Sequence, residues 1–392
     1  MKKTVIALAA MIAASSSALA ADVNIFGKVD LGFTYTNADS ESAKNESFQL
    51  DSGKNSGSRW GLKGREDLGD GYAVAFHLES GFSADTGASG QGGRLFGREA
   101  RLSFETPVAT ISAGRMGGLT SGAGTFDIFQ AQGDALDGGW DYNFNVGNWF
   151  SRDRYDNMLT INSANLAGFT LYAQYSFGTD STAKDPVDKK TLIKNDGVQN
   201  GRDTERYMAV GATYENGPLA VGLFLDTVLR RYGDGFEVDA KKAQDAKAVS
   251  FSASYDFDVA KVFFAAQYGK NESLNFFTST VDHIDDGESF ADNISSIQMD
   301  GYRVGVGAST NLPCGTLTGG IYYGSMKNDT DFDDETLKAK NFNIAVGHTY
   351  PFSKRTYSYV GIAYKSVDVK LGGAKELEED SFTTQVGLVH AF

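Results

Sequence analysis

The feature that most constrains this chain is an alternation of period two that recurs from one end to the other. In residues 169–177, Phe169, Leu171, Ala173, Tyr175 and Phe177 fall on one face of an extended chain, and Thr170, Tyr172, Gln174 and Ser176 on the other. Near the N-terminus, Val23, Ile25, Val29, Leu31, Phe33 and Tyr35 alternate with Asn24, Lys28, Asp30 and Thr34. The same pattern runs through 219–225, 249–257, 261–268, 302–308, 342–350 and 382–392. A soluble β-sandwich would hide the apolar face inside, whereas a membrane barrel turns it to lipid and fills its lumen with polar groups. The polar face here carries Lys28, Asp30, Arg59, Lys63 and Arg303, and the apolar strands often end in Tyr or Phe. Charge on one face and aromatic ends on the other predict the barrel.

The connections sharpen this. Turn chemistry marks short links at 67–71, 105–107, 165–168, 215–218, 256–258, 311–315 and 351–355. Between them lie long links near 39–50, 85–93, 116–150, 179–204, 230–246, 271–298, 327–339 and 369–380. Seven turns and eight loops in strict alternation separate sixteen strands, with short turns on the periplasmic side and long loops outside. The predicted fold is all-β: a sixteen-stranded antiparallel transmembrane β-barrel. Composition agrees. Five prolines among 392 residues suit a chain of paired strands, which accept proline only at turns and edges. The chain has 46 Gly, 27 Phe and 18 Tyr, yet its mean hydropathy is slightly negative, which excludes a bundle of membrane helices.

Residues 1–20 stand apart. Lys2 and Lys3 precede a short apolar stretch, and Ala18-Leu19-Ala20 is a small-x-small cleavage site, so the segment reads as a secretory signal peptide. The expected remainder, 21–392, is one barrel domain in which 116–150 is the longest loop. The formal net charge of −14 becomes more negative once the two leader lysines are removed. Cys314, the one cysteine, sits in a turn with no activating neighbour, which leaves neither a disulfide framework nor a thiol site. The chain ends inside an alternating segment, as closure of the first strand on the last requires in hydrocarbon.

Specific stretches then resemble one family. They are Val23-Asn24-Ile25-Phe26-Gly27-Lys28, the run Ser58-Arg59-Trp60-Gly61-Leu62-Lys63-Gly64 with Arg65-Glu66-Asp67-Leu68-Gly69, and Gly93-Arg94-Leu95-Phe96-Gly97-Arg98. Ser112-Ala113-Gly114-Arg115, Arg154-Tyr155-Asp156-Asn157 and a terminal Phe392 follow. In this order and spacing the chain resembles the Gram-negative general porins, trimeric outer-membrane diffusion channels. The resemblance implies an outer-membrane location and a third loop folded into the lumen, facing a basic wall. Lys28, Arg59 and Arg154 match the wall positions by local motif, and strand parity independently turns them inward. Arg152 shares the parity of Arg154, and Lys63 and Arg115 extend the set. Arg98 is placed in the lumen by resemblance, although the parity of Leu102 and Phe104 favours Arg101 and Glu99 there instead. On the loop, the acids are Asp127, Asp134, Asp137 and Asp141. Asp137-Gly138-Gly139 is similar to the family's loop tip but lacks its proline.

The mechanism implied is passive: opposed charges across a narrow aqueous slot bias which ions and small hydrophilic solutes pass. A substrate-selective porin for sugars or anions is the nearest alternative. Its aromatic lining would come from Phe26, Tyr172, Phe224 and Phe263, or from Phe126, Phe129, Trp140, Tyr142 and Phe144 on the loop. An outer-membrane hydrolase would need a base, for which only His77 beside Glu79 has luminal parity, and no glycine-flanked serine elbow accompanies it. No cofactor or metal is expected. Expected partners are outer-membrane lipid and lipopolysaccharide, two further copies of the chain, and the insertion machinery reading Phe392. Acidic runs at 331–335, 376–380 and 285–288 read as solvated loop surface.

Overall fold

A computed structural model describes residues 23–40, 44–137, 140, 144, 149–150, 152–180, 199, 204–230, 244–273, 298–328 and 336–392. The leader, Asp141, Tyr142, Gly138, Gly139 and the acidic runs at 331–335 and 285–288 lie outside these residues. So do parts of the long loops near 179–204, 230–246 and 271–298.

Alternation becomes a closed wall. Strand β1 (Asn24–Ser40) pairs along its outer part with β2 (Lys44–Ser52) and along its inner part with β3 (Arg59–Gly69). The two are halves of one stave, interrupted at 53–58. Next come β4 (Tyr72–Gly81), β5 (Glu99–Glu105), β6 (Ala109–Gly117), β7 (Arg154–Ser163), β8 (Phe169–Ser176) and β9 (Arg206–Asn216). The other side is built from β10 (Leu219–Leu229), β11 (Ala246–Asp256), β12 (Lys261–Ser273), β13 (Gln298–Leu312) and β14 (Gly315–Lys327). The wall ends with β15 (Leu337–Pro351), β16 (Thr356–Leu371) and β17 (Ala374–Ala391). Each stave pairs antiparallel with its sequence neighbour, and β17 returns to β1 in the register Lys28↔Ala391. The backbones of Gly27 and Phe392 exchange hydrogen bonds of 3.1 and 3.0 Å, which seals the last unpaired edge. Seventeen segments thus make sixteen staves.

Outward positions such as Ile25, Phe33, Leu171, Val210, Leu223 and Val346 are exposed, while Thr34, Thr160, Gln174, Ser250 and Thr383 are buried inside. The tight turns form where their chemistry predicts. The Asn165 side chain accepts the Gly168 N–H at 2.8 Å. Gly168 itself has φ +97°, and an added Cβ would sit 2.7 Å from the Glu215 carbonyl oxygen. Two expected long loops are corrected. Residues 39–50 are largely strand, since β1 and β2 run out together, and 369–380 is a hairpin turning at Gly372-Gly373. Polar residues at the outer ends of a barrel pair as well as apolar ones, because backbone pairing there does not depend on which solvent the side chains meet.

The hydrophobic core lies in the lumen, where the third loop is packed on the wall. Its short helix α1 (Phe129–Gly133) and the side chains of Leu119, Trp140, Phe144 and Trp149 are buried against Tyr155, Tyr207, Phe224, Tyr322 and Tyr359. Glycine makes the room. A Cβ at Gly347 would lie 2.3 Å from the Trp140 ring, and one at Gly361 would lie 2.6 Å from it. Aromatics expected as a sugar track therefore include packing residues: Phe129, Phe144 and Phe224 are sealed in this core, and Trp140 alone of the described set reaches the cavity below.

Candidate functional site

The lumen narrows beside the break in the second stave. Asp30, buried on β1, accepts the backbone N–H groups of Asn55 and Ser56 at 2.8 and 2.6 Å and the Tyr359 hydroxyl at 2.9 Å. These bonds pull 53–58 inward and set Ser56 beside the cations on either side of it. Lys28 donates to the Ser56 hydroxyl at 3.0 Å, and Arg59 donates to the Gly57 carbonyl at 2.8 Å and to Ser56 at 3.3 Å.

Around this point lies a cavity of ≈ 610 Å³. Its wall side presents Lys28, Arg59, Arg98 and Arg154, with Glu79 among them. Arg98 Nε is 2.6 Å from Glu79, and Arg59 is 3.7 Å from the same oxygen. Arg154 Nε is buried and, among the described residues, has no hydrogen-bond partner. Its loop side presents Gly122, Gly124, Thr125, Asp127, Asp137 and Trp140. Asp127 is held well above the ordinary carboxylate range by burial and by the Asp137 carboxylate beside it. Ionising both carboxylates side by side is therefore disfavoured.

The opposing claims of Arg98 and Arg101 both hold. Leu102 and Phe104 are 59% and 41% exposed on the outer face, so Glu99, Arg101 and Ser103 point inward as parity requires. Arg98 precedes β5, in a segment where strand parity does not apply, and it too reaches the lumen. Arg101 pairs with Glu99, which also accepts the Thr125 N–H at 3.2 Å and so ties the loop down. Glu99 is thereby compensated in place.

Four expected site residues are corrected. Arg152 is 5% exposed and locked between Asp226 and Glu272, the latter at 2.7 Å. Burial alone would lower its pKa, but these two carboxylates raise it well above the usual value. It clamps the end of the third loop to β10 and β12 rather than lining the pore. Asp134 is buried too, accepting from Tyr322, from Trp149 Nε1 at 2.7 Å and from the Leu136 N–H at 2.9 Å. Desolvation raises its pKa against those bonds. Lys63 is luminal but lies further along β3, its ammonium 5.2 Å from the Phe26 ring centroid, and is not among the cavity-lining residues. Arg115 donates to Asp156 at 2.7 Å and to the Gly97 and Arg154 carbonyls at 2.8 and 3.1 Å, so it positions Arg154 without lining the cavity.

The sequence reading passed over Glu79 as a member of the site. Its parity with His77, whose ring lies 3.5 Å from it, was visible, but the bond to Arg98 joins residues from two staves. Asp30 and its hold on 53–58 carried no local signal.

A Gram-negative porin family profile matches residues 7–370. The chain is 31% identical to an outer membrane porin protein of Bordetella pertussis, over all of both chains, and 28% identical to outer membrane porin protein 32 of Delftia acidovorans, again over both in full. Among solved structures, an anion-selective porin from Comamonas acidovorans superimposes with a TM-score of 0.67 at 24% identity, covering 95% of this chain and all of that one. The trimer form of OmpT from Vibrio cholerae gives 0.57 at 13% identity, covering 95% and 100%. A closed sixteen-stave barrel, its lumen narrowed by an inward loop, and full-length likeness to outer-membrane porins together place this chain in the Gram-negative porin family, as a passive channel of the outer membrane.

Proposed function

We propose that the constriction favours small anions. The observation that carries this is the charge arrangement around the ≈ 610 Å³ cavity, where Lys28, Arg59, Arg98 and Arg154 stand on the wall with Glu79 among them and face Asp127 and Asp137 on the loop. Burial and the Asp137 carboxylate beside it disfavour the charged form of Asp127, and Glu99 pairs with Arg101. Charged walls of this kind set which ion finds the slot favourable. An anion-selective relative of the same fold supports the reading.

In this reading the leader 1–20 is removed, 21–392 forms one barrel domain, and three copies associate in the membrane. Outer-membrane lipid and lipopolysaccharide surround the wall, and Phe392 is read by the insertion machinery. The test is the reversal potential of single channels in a planar bilayer under a salt gradient. Wild type is expected to prefer chloride over potassium, and the R59A/R154A double variant to lose most of that preference while conducting. Identical reversal potentials for the two proteins would overturn the proposal. Three equal closing steps would support the trimer.

A further inference from the structure

Among the described residues lining the constriction, His77 is the one imidazole. It lies on β4, 19% exposed, with Glu79 two residues along on the same face. The Glu79 carboxylate divides its two oxygens between different partners. Oε1 takes Arg98 at 2.6 Å and Arg59 at 3.7 Å, while Oε2 faces His77 Nε2 at 3.5 Å. With a neutral imidazole, this one carboxylate is already answered by two guanidinium groups. A proton on His77 adds a third cation to the same acid, and the surplus positive charge acts on whatever ion occupies the cavity.

The ring is packed in place. Phe26 on β1 meets it edge to face, with ring centroids 5.2 Å apart. Phe26 lies there because Gly61 is beneath it: a Cβ at Gly61 would come within 2.7 Å of the Phe26 ring. The Lys63 ammonium stands 5.2 Å from the centroid of the same ring. Charged groups face His77 from every neighbouring element. Lys63 on β3 and Arg101 on β5 are its register partners on either side, and Arg101 is paired with Glu99. Lys28 on β1, Arg59 on β3, Arg98 ahead of β5 and Arg154 on β7 share the cavity with it, and Asp127 and Asp137 face them from the third loop. The imidazole thus sits inside the charge arrangement through which an ion passes.

We propose that His77 is a specificity-determining residue of the channel, one whose proton sets how strongly the constriction favours anions. Neutral His77 leaves the arginines to balance Glu79. Protonated His77 shares that balance and adds one positive charge to the slot. Histidine is the side chain that ordinarily changes charge between pH 5 and 8, so passage of small anions gains on that of cations as the surroundings turn acid. The inference rests on the reading that the constriction sorts ions by charge.

The experiment is reversal-potential recording of the full barrel in a bilayer of zwitterionic lipid, under a potassium chloride gradient, at pH 8 and at pH 5. It uses the D127N background, so that this loop carboxylate does not contribute to the response. From pH 8 to pH 5 the chloride-to-potassium permeability ratio of D127N should rise about 2-fold, the scale of one unit charge several ångströms from an ion in water. D127N/H77Q should give one ratio at both pH values. D127N/H77K, which carries a fixed charge, should show at pH 8 the ratio that D127N reaches at pH 5. An equal rise in D127N and D127N/H77Q, or no rise in D127N, would overturn the proposal. Lack of chloride preference at pH 8 would count against the anion-favouring constriction instead, because the His77 effect is read from the change and not from the starting value. Only variants that give a heat-resistant folded form on electrophoresis and conducting channels are compared, which separates loss of the titrating group from loss of the barrel.

Discussion

At the scale of single residues, what a charge does depends on how it is compensated. Arg152 and Arg154 are two positions apart in sequence, yet one is enclosed by two carboxylates while the other lines the cavity, its buried Nε without a hydrogen-bond partner among the described residues. Removing Arg152 leaves Asp226 and Glu272 buried without their cation, so R152M should destabilise the barrel by about 3–5 kcal/mol. Urea or heat denaturation in detergent would measure this, with R154A near wild type in the same assay. Asp127 supplies a pH effect of defined sign. Burial and the neighbouring Asp137 raise its pKa, so it ionises at a higher pH than an ordinary carboxylate. A second negative charge then enters the slot, and anion preference should fall on the alkaline side. D127N should lose the change in reversal potential that accompanies this ionisation. Parity turns Lys28, Arg59 and Arg154 inward, because a strand has only two faces, and all three line the cavity. It could not rank Arg152 or Asp134, because their partners are on distant staves.

At the scale of elements, the third loop stays in the lumen because the wall is hollowed to receive it. Gly347 and Gly361 lie beneath Trp140, and Asp134 is hydrogen-bonded by Trp149 and Tyr322. G347L should push Trp140 off the wall, since even a Cβ would come within 2.3 Å of its ring. The expected result is a folded barrel with altered unit conductance and a shifted tryptophan emission; an unchanged channel would show that the loop is held without this contact. The loop's existence and length were legible from the absence of alternation over 116–150. Its docking was not, because glycine in a strand reads locally as a weak position and reveals its use only when an aromatic ring from elsewhere arrives. The break at 53–58 is similar: it reads as a turn-rich stretch, but its inward path is set by Asp30 on the neighbouring stave.

At the scale of the whole molecule, closure is the governing constraint. Every backbone group in hydrocarbon needs a partner, and an unpaired one costs several kcal/mol. The β1–β17 seam runs from Lys28↔Ala391 to Ser40↔Glu379 and is sealed at its lower end by the Gly27 and Phe392 backbones. Deleting residues 381–392 should therefore abolish a heat-resistant folded form in lipid vesicles, as read by electrophoretic mobility with and without boiling. F392A keeps the backbone seam and should still fold in vesicles.

By itself the sequence determined the barrel, the face to which each strand residue points and the ends at which the loops lie. These follow from a period of two, which is local and needs no knowledge of neighbours. The tertiary structure alone decided which charges meet solute and which are sealed. Arg152 and Glu272 are 120 positions apart, Asp134 and Tyr322 are 188. Burial and pairing at such separations are set by closure of the wall and docking of the loop, and no local pattern records them.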